Sequence, residues 1–309
     1  MKIITLTLNP AYDVHCDAPN FQPYHENLAH VTSNEAGGKG VNISRALTAC
    51  GVENTALVVL GDENGDLFRR ALHDDQISFR EITVPGRIRE NITLHTQNAP
   101  ETRISFPGFA ASDELIDRVE HQLQSMLSNG DILTFTGRNP EGVRMDRVKS
   151  MLIGLQKVGV KIVLDSRSFT KRDVIDVRPW LIKPNEEEIA SYAEIPVENF
   201  NDAKQAAEAL RRTGIENVMI SLGGKGALLG CEGGCYAVSA PKINVRSTVG
   251  AGDSSIGGFC AAAKAGLDFP DMLRYAVAFG SAACMTVGTK PPSAEAIRQL
   301  LPTLTVSIL

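Results

Sequence analysis

Ser247-Thr248-Val249-Gly250-Ala251-Gly252-Asp253-Ser254 sets a carboxylate directly behind a Gly-Ala-Gly turn and ahead of a small-residue run, Ser255 to Ala265. Gly-Ala-Gly lets the backbone turn tightly at a helix start, which leaves several amide N–H groups without partners and pointing outward. Such a start is an anion hole reinforced by the helix dipole, suited to charge developing on a transferring phosphoryl group. Asp253, in the first turn, stands beside that hole and within reach of an attacking hydroxyl, whose proton it can accept. For a Gly-Asp pair alone, a helix-capping aspartate is the simpler reading. The full segment, with Gly250, Ala251 and Gly252 at the hole, favours phosphoryl transfer with Asp253 as base.

Three more segments have the residue types for a polar ligand. Glu35-Ala36-Gly37-Gly38-Lys39-Gly40-Val41-Asn42 is no Walker A loop, because neither Ser nor Thr follows Lys39. Its glycines lead into a helix and let backbone amides approach a small ligand, with Asn42 as a two-way hydrogen-bonding group; an ordinary glycine turn is the alternative. In Lys183-Pro184-Asn185-Glu186-Glu187-Glu188, Asn185 and Glu188 lie three apart at a helix start and can face one magnesium–water cluster. An acidic first turn complementing the dipole is the alternative there. Ser221-Leu222-Gly223-Gly224-Lys225-Gly226 suits nucleotide phosphates or ribose, or is a plain hairpin turn. The next residues, Ala227–Cys231, read as a strand, so the dinucleotide fingerprint with its helix is excluded.

The elements that must position these segments are read from hydrophobic period. Strands are expected at Ile3–Leu8, Thr55–Leu60, Asp131–Thr136, Lys161–Asp165, Leu181–Lys183 and Val218–Leu222. Helices are expected at Asn64–His73, Asp113–Leu127 with Ser112 as N-cap, Arg144–Lys157 and Asp202–Arg212, then at Asp253–Ala265, Pro270–Thr286 and Ser293–Leu300. Alternating strands and helices of this kind predict a parallel sheet covered on both faces. Asp13–Asn34 and Arg87–Ser105 break the rhythm with short alternating runs and predict a small antiparallel sheet extruded from the main body.

Bulk properties narrow the class. With 309 residues, 43% hydrophobic and 22% charged, the chain can bury a large core. Its net charge of −5 argues against a nucleic-acid surface. The apolar N-terminus is too short for a signal peptide, and no stretch reaches the ~20 apolar residues of a membrane span, so a cytoplasmic protein is expected. Of six cysteines only Cys231 and Cys235 are close, separated by a turn-like Glu-Gly-Gly, which reads as a hairpin with reduced thiols rather than half a zinc site.

Taken in order, these segments resemble the PfkB family of ribokinase-like carbohydrate kinases across nearly the whole chain. Gly37 to Asn42 is similar to the first family signature and Ser247 to Ser254 to the second. Asn9-Pro10-Ala11-x-Asp13, together with Gly-Gly-Lys-Gly, resembles the branch that holds 1-phosphofructokinase and tagatose-6-phosphate kinase. The resemblance implies one ribokinase-like domain over 1–309, a three-layer α/β/α sandwich with a β-lid built from about 12–35 and 87–106 that doubles as a homodimer interface. It implies ATP and Mg2+ as cofactors and a sugar phosphate as acceptor, with Asp13, Gly38, Lys39 and Asn42 on the sugar. Lys183, Asn185, Ser221, Gly223 and Gly226 would serve ATP, and Glu188 would act on magnesium through water. Arg89 and Arg103 sit where this branch carries phosphate-binding arginines, and guanidinium forks suit phosphate.

Three departures bear on specificity. Thr136-Gly137-Arg138-Asn139-Pro140 stands where the branch shows Ser-Gly-Ser-Leu-Pro, so Arg138 brings a further cation toward the expected phosphate. Leu28 follows Asn27 where an arginine is common, and Asp165-Ser166-Arg167-Ser168 departs from Asp-x-Ser-Gly. The rival readings are a kinase for an unphosphorylated sugar or nucleoside, which leaves the three arginines without a common anion, and a sensor on the same fold, which has no need of Asp253.

Overall fold

The computed structural model describes residues 1–97 and 101–309; residues 98–100, within the second expected lid segment, lie outside the described residues. Strand β1 (Ile3–Thr7) is followed by β2 (Ala11–Asp17) and β3 (His30–Gly37), which leave the main body, and α1 (Lys39–Ala49) returns the chain to it. Next come β4 (Thr55–Gly61), α2 (Gly65–Asp74) and β5 (Phe79–Val84), then a second excursion, β6 (Arg89–His95) and β7 (Thr102–Ser105), and α3 (Asp113–Met126). The chain then alternates through β8 (Ile132–Thr136), α4 (Met145–Lys157), β9 (Lys161–Asp165), α5 (Lys171–Val177), β10 (Leu181–Ile182), α6 (Glu186–Ala193), α7 (Phe200–Arg211) and β11 (Asn217–Ser221). It closes with the hairpin β12 (Gly226–Cys231) and β13 (Gly234–Ser239), helices α8 (Ala251–Lys264), α9 (Phe269–Cys284) and α10 (Ala294–Leu300), and β14 (Val306–Ile308).

Ten strands form one sheet in the order β14-β13-β12-β11-β10-β9-β8-β1-β4-β5. The seven from β11 to β5 are parallel, and β12 to β14 add an antiparallel edge. Period two sends successive side chains to opposite faces, and here both faces are buried. Ile4, Leu6, Leu133, Phe135, Ile162, Leu164, Val218 and Ile220 pack with α3, α4, α5 and α7. Their neighbours Ile3, Ile132, Val163 and Met219 pack with α1, α8 and α9. Ala56, Val58 and Leu60 meet α2. That is the expected α/β/α sandwich.

All six strands read from the sequence lie in this sheet with ends within one residue, and the seven helices match within two. Ser112 does precede α3, but its side chain makes no capping hydrogen bond. No helix among the described residues is long and apolar enough to cross a membrane.

The second sheet, β3-β2-β6-β7, is mixed rather than antiparallel. β2 pairs with β6 in parallel, with Asp13 opposite Asn91, while β3 and β7 pair antiparallel to them. The cause is topological. β2 continues from β1 and β6 from β5, two parallel strands of the main sheet, so both excursions leave the same edge in the same direction. Sequence alternation carries no record of that shared exit.

Candidate active site

The carboxyl ends of the parallel strands and the flank of the small sheet enclose a cleft of about 610 Å³. In an open parallel sheet, helix N-termini and strand-end loops gather at this edge. Thirteen sequence-predicted residues line it: Asp13, Gly38, Lys39, Asn42, Arg89, Arg103, Arg138, Lys183, Asn185, Ser221, Gly250, Gly252 and Asp253. Ala251, Glu188, Gly223 and Gly226 are not among the described residues that line it. Ala251 is the first residue of α8, Glu188 borders a small adjoining pocket with Asp165 and Lys183, and the two glycines belong to the turn running on from Ser221. Gly226 has a local reason as well: at φ +119°, a Cβ there would stand 2.0 Å from the Val238 carbonyl oxygen.

Gly250, at φ +78°, is the left-handed residue that starts α8, and no side chain caps the helix. The Ser254 N–H returns to the Gly250 carbonyl at 2.8 Å, so the N–H groups of Gly252 and Asp253 precede the first intrahelical bond. A Cβ at Gly252 would lie 3.1 Å from Lys183 Nζ, which brings that cation against the open helix start. Asp253 does not cap the helix. Its Oδ2 accepts a hydrogen bond from Asn42 Nδ2 at 2.9 Å, across 211 residues of sequence. Burial pushes the Asp253 carboxyl up to about 6; Asp165 pushes the same way, while Lys39, Asn42 and Lys183 oppose it.

The charges around this base are themselves paired. Lys39 Nζ lies 2.8 Å from Asp165 Oδ2 and Lys183 Nζ lies 3.7 Å from the same oxygen. Burial works to raise the Asp165 carboxyl, but Lys183 and Lys39 outweigh it and hold it below the usual range. Burial likewise pulls the Lys39 ammonium down, and Asp165 and Asp253 more than restore it.

At the other end, Asp13 Oδ1 accepts from Asn91 Nδ2 at 2.8 Å and Arg103 Nη2 at 3.2 Å. Arg89 Nη1 donates to Asn91 Oδ1 at 3.3 Å. Burial depresses the Arg89 guanidinium; Asp13 resists this, whereas Arg138 and Arg103, close by, add to it. Three guanidiniums therefore converge on one end of the cleft. Among the residues that line this cleft, Thr7 Oγ1, Asn9 Oδ1, Thr136 Oγ1 and Arg89 Nε are buried and without a protein partner. Buried polar atoms are nearly always hydrogen-bonded, so these four are exceptions gathered on residues of the cleft.

Sequence reasoning missed several of these groups. Arg45, three residues after Asn42 and nearly buried, donates from Nη1 to Asn42 Oδ1 at 3.1 Å, from Nε to Asp75 at 2.7 Å and from Nη2 to the Ala36 carbonyl at 2.7 Å. The helical i, i+3 spacing was the available signal. Asp165 and Thr136 had strand ends as their signal, Asn91 lies inside β6, and nothing in the chain's order couples them to Asp253. Asn185 and Glu188 form a reciprocal cap, Asn185 Oδ1 accepting the Glu188 N–H at 2.8 Å and Glu188 Oε2 the Asn185 N–H at 3.2 Å. Each keeps one polar atom outside that cap.

The chain is also similar to known proteins over nearly its whole length. Residues 7–296 match the pfkB family carbohydrate kinases. The chain is 30% identical over 308 residues to a 1-phosphofructokinase of Vibrio cholerae, covering 100% of this chain and 97% of that one. It is 34% identical over 257 residues to the Escherichia coli K12 1-phosphofructokinase, covering 83% and 82% of the two chains. Among solved structures, phosphofructokinase-2 from E. coli in complex with substrates and products superposes with a TM-score of 0.90 at 27% identity over 98% of this chain and 99% of that one.

Proposed function

The chain belongs to the pfkB family of carbohydrate kinases, an ATP-dependent phosphotransferase acting on a hydroxyl of a hexose phosphate, and from that premise we propose how its residues divide the work. The observation that carries the assignment is the pairing, in one cleft, of a buried carboxylate beside an uncapped helix start with three guanidiniums at the far end. The whole chain is one kinase domain, with the small sheet as its lid.

Asp13, Gly38, Lys39 and Asn42 hold the acceptor hydroxyls, and Arg89, Arg103 and Arg138 hold its phosphate. An arginine fork matches phosphate in two bonds, and all three arginines line the cleft. Lys183, Asn185, Ser221, Gly223 and Gly226 serve ATP. The acceptor oxygen attacks the γ-phosphorus as its proton passes to Asp253 and the bond to ADP breaks. The Gly250–Gly252 amides and the α8 dipole stabilise the charge on the transferred group. Asn42 aims the Asp253 carboxylate, and burial lifts its basicity toward the working pH.

Among the described residues no group of three or more His, Cys, Asp or Glu side chains is disposed to hold a metal alone. Glu188 fits magnesium through water, because one of its oxygens lies outside the helix cap and hard oxygen donors suit that ion. Bound with ATP, magnesium supplies charge neutralisation on the phosphates.

The lid also supports self-association. Leu28 and Val31 are 81% and 64% exposed, and Phe21, Ile104 and Phe106 stand out on the same small sheet and its loops. Exposed apolar side chains beside the uncovered edge strands β3 and β7 favour an interaction site on this sheet. We assign it to a second copy of this chain.

A coupled ADP-release assay with Mg-ATP tests the reading against fructose 1-phosphate, tagatose 6-phosphate, fructose 6-phosphate and unphosphorylated sugars and nucleosides. Turnover with phosphorylated hexoses alone is expected, with fructose 1-phosphate first. Turnover with free sugars or nucleosides alone overturns the arginine assignment and leaves the Asp253 chemistry standing.

A further inference from the structure

Positive charge at the transfer end is less available than the cation count suggests. Lys39 and Lys183, the lysines there, are both engaged with Asp165. Of the three arginines of the acceptor end, Arg103 pairs with Asp13, Arg89 bonds Asn91, and Arg138 stands within electrostatic reach of Arg89. A nucleotide triphosphate brings several negative charges to be neutralised as its terminal group is transferred.

Arg167 is the remaining cation on the cleft wall among the described residues. It follows Asp165 and Ser166 at the end of β9. The backbone beneath it is fixed, because Ser166 Oγ donates to the Gly137 carbonyl at 2.5 Å and the Gly137 N–H donates to the Asp165 carbonyl at 3.1 Å. The side chain is free by contrast, 65% exposed, with one polar contact among the described residues: Nε lies 3.4 Å from Glu188 Oε1. That is the carboxylate oxygen left outside the α6 cap. Glu188 in turn acts on Lys39, so Arg167 stands at the outer end of a line of alternating charge, Arg167, Glu188, Lys39, Asp165, Lys183. A pair this exposed has little holding energy and is easily exchanged for a stronger partner.

Resting on the kinase reading, we propose that Arg167 is a further catalytic residue, which leaves Glu188 when nucleotide binds and lays its guanidinium on the γ-phosphoryl group. The planar fork matches two phosphoryl oxygens, and the exchange frees Glu188 Oε1. Arg167 forms and breaks no covalent bond in the step: the acceptor oxygen–phosphorus bond forms, the bond to ADP breaks, and the hydroxyl proton goes to Asp253. A guanidinium at this place strengthens as charge moves onto the transferring group, which raises kcat more than it tightens the acceptor.

The test compares wild type with Arg167→Ser and Arg167→Lys, which keep the fold because the side chain is exposed and packs into no core. Calorimetric Kd values for ADP and for AMP-PNP are measured beside steady-state kinetics. Loss of one charged phosphate contact predicts AMP-PNP binding weaker by roughly tenfold in the Ser variant, with ADP changed by less than about threefold. It also predicts kcat lower by about 10²-fold or more, with acceptor KM unchanged, and partial recovery with Lys. Equal losses for ADP and AMP-PNP, or none for either, overturn the proposal and leave Arg167 a partner of Glu188 only. If wild type turns over hexose phosphate and the Ser variant matches it, this inference fails and the kinase reading stands. If wild type turns over no acceptor, the kinase reading fails, and the nucleotide comparison still decides where Arg167 acts.

Discussion

At the transfer end of the cleft, Asp253, Asp165 and Lys183 are buried and each is held by a named partner. At the acceptor end, Arg103 is half-exposed, Arg89 makes one long hydrogen bond with Nε unpartnered, and Arg138 has no polar contact among the described residues. The first set stands on strand ends and helix starts of the main sheet, while the second is spread over the small sheet and one loop. Preorganised charges that need no rearrangement are what a transfer step uses. Unspent hydrogen-bonding capacity is what an acceptor site keeps for its ligand. On the proposed division of roles, the chemistry is built into the sandwich, and the choice of acceptor is carried by parts that can vary without disturbing it.

Substitutions at each end should then fail differently. The largest effect belongs to the base: Asp253→Asn is expected to lower kcat by about 10³-fold while calorimetric binding of the hexose phosphate persists. A variant that turns over within tenfold of wild type removes Asp253 from the role of base. The same variant tests the burial behind its raised carboxyl. Because the folded value, about 6, lies above the unfolded one, the native state binds more protons, and the group costs stability as pH rises through that interval. Asp253→Asn should therefore raise Tm at pH 8 and raise it much less at pH 4. An equal effect at both contradicts the shift.

At the acceptor end, Arg89→Ala or Arg138→Ala should lower kcat/KM for hexose phosphate by about 10–10²-fold, mainly through KM, with the KM for ATP nearly unchanged. A fall in kcat at constant KM would instead move these arginines to the transfer end.

Smaller effects sharpen the boundary between the ends. Only ionised Asp253 accepts a proton, so kcat/KM should climb with pH through about 6 and level off above it. Arg45 holds the Asn42 amide toward Asp253, whose other charged neighbours are Lys39, Asp165 and Lys183. Arg45→Met loosens that amide, lowers kcat several-fold and moves the pH limb upward, and Arg45→Lys restores part of both; an unmoved limb makes Arg45 structural only. Smallest of all on turnover, Leu28→Asp with Val31→Asp should shift the chain from dimer to monomer in light-scattering chromatography while kcat stays within a few-fold. A wild-type monomer at the same concentration contradicts the lid interface.

The transfer end was legible because its parts are contiguous. Gly250 to Asp253 and Lys183 to Glu188 each combine a strand end or turn with a helix start in a few residues, and local physics suffices to read them. The sandwich was legible for a similar reason: Ile132 to Phe135 and Ile162 to Leu164 are apolar or β-branched throughout, as strands buried between two helix layers tend to be. What escaped was the coupling between distant segments. Asn42 meets Asp253 across 211 residues and Lys39 meets Asp165 across 126, and no local pattern records either meeting. The parallel register of β2 and β6 was hidden likewise, being set by the direction in which β1 and β5 leave the main sheet. The arginines were seen as residue types in plausible places; only the folded chain brings Arg89, Arg103 and Arg138 within electrostatic reach of one another.

The division between the two ends is tested most directly by measuring kcat/KM for fructose 1-phosphate and for fructose in wild type and in the Arg89→Ala/Arg138→Ala double variant. A phosphate held by two forks predicts a wild-type preference of about 10³-fold or more for the phosphorylated sugar. In the double variant that preference should collapse to within about tenfold, while turnover of fructose itself stays near its wild-type rate. A preference that survives the double substitution, or a fructose rate that falls with it, contradicts the claim that the arginines choose the acceptor and the sandwich performs the transfer.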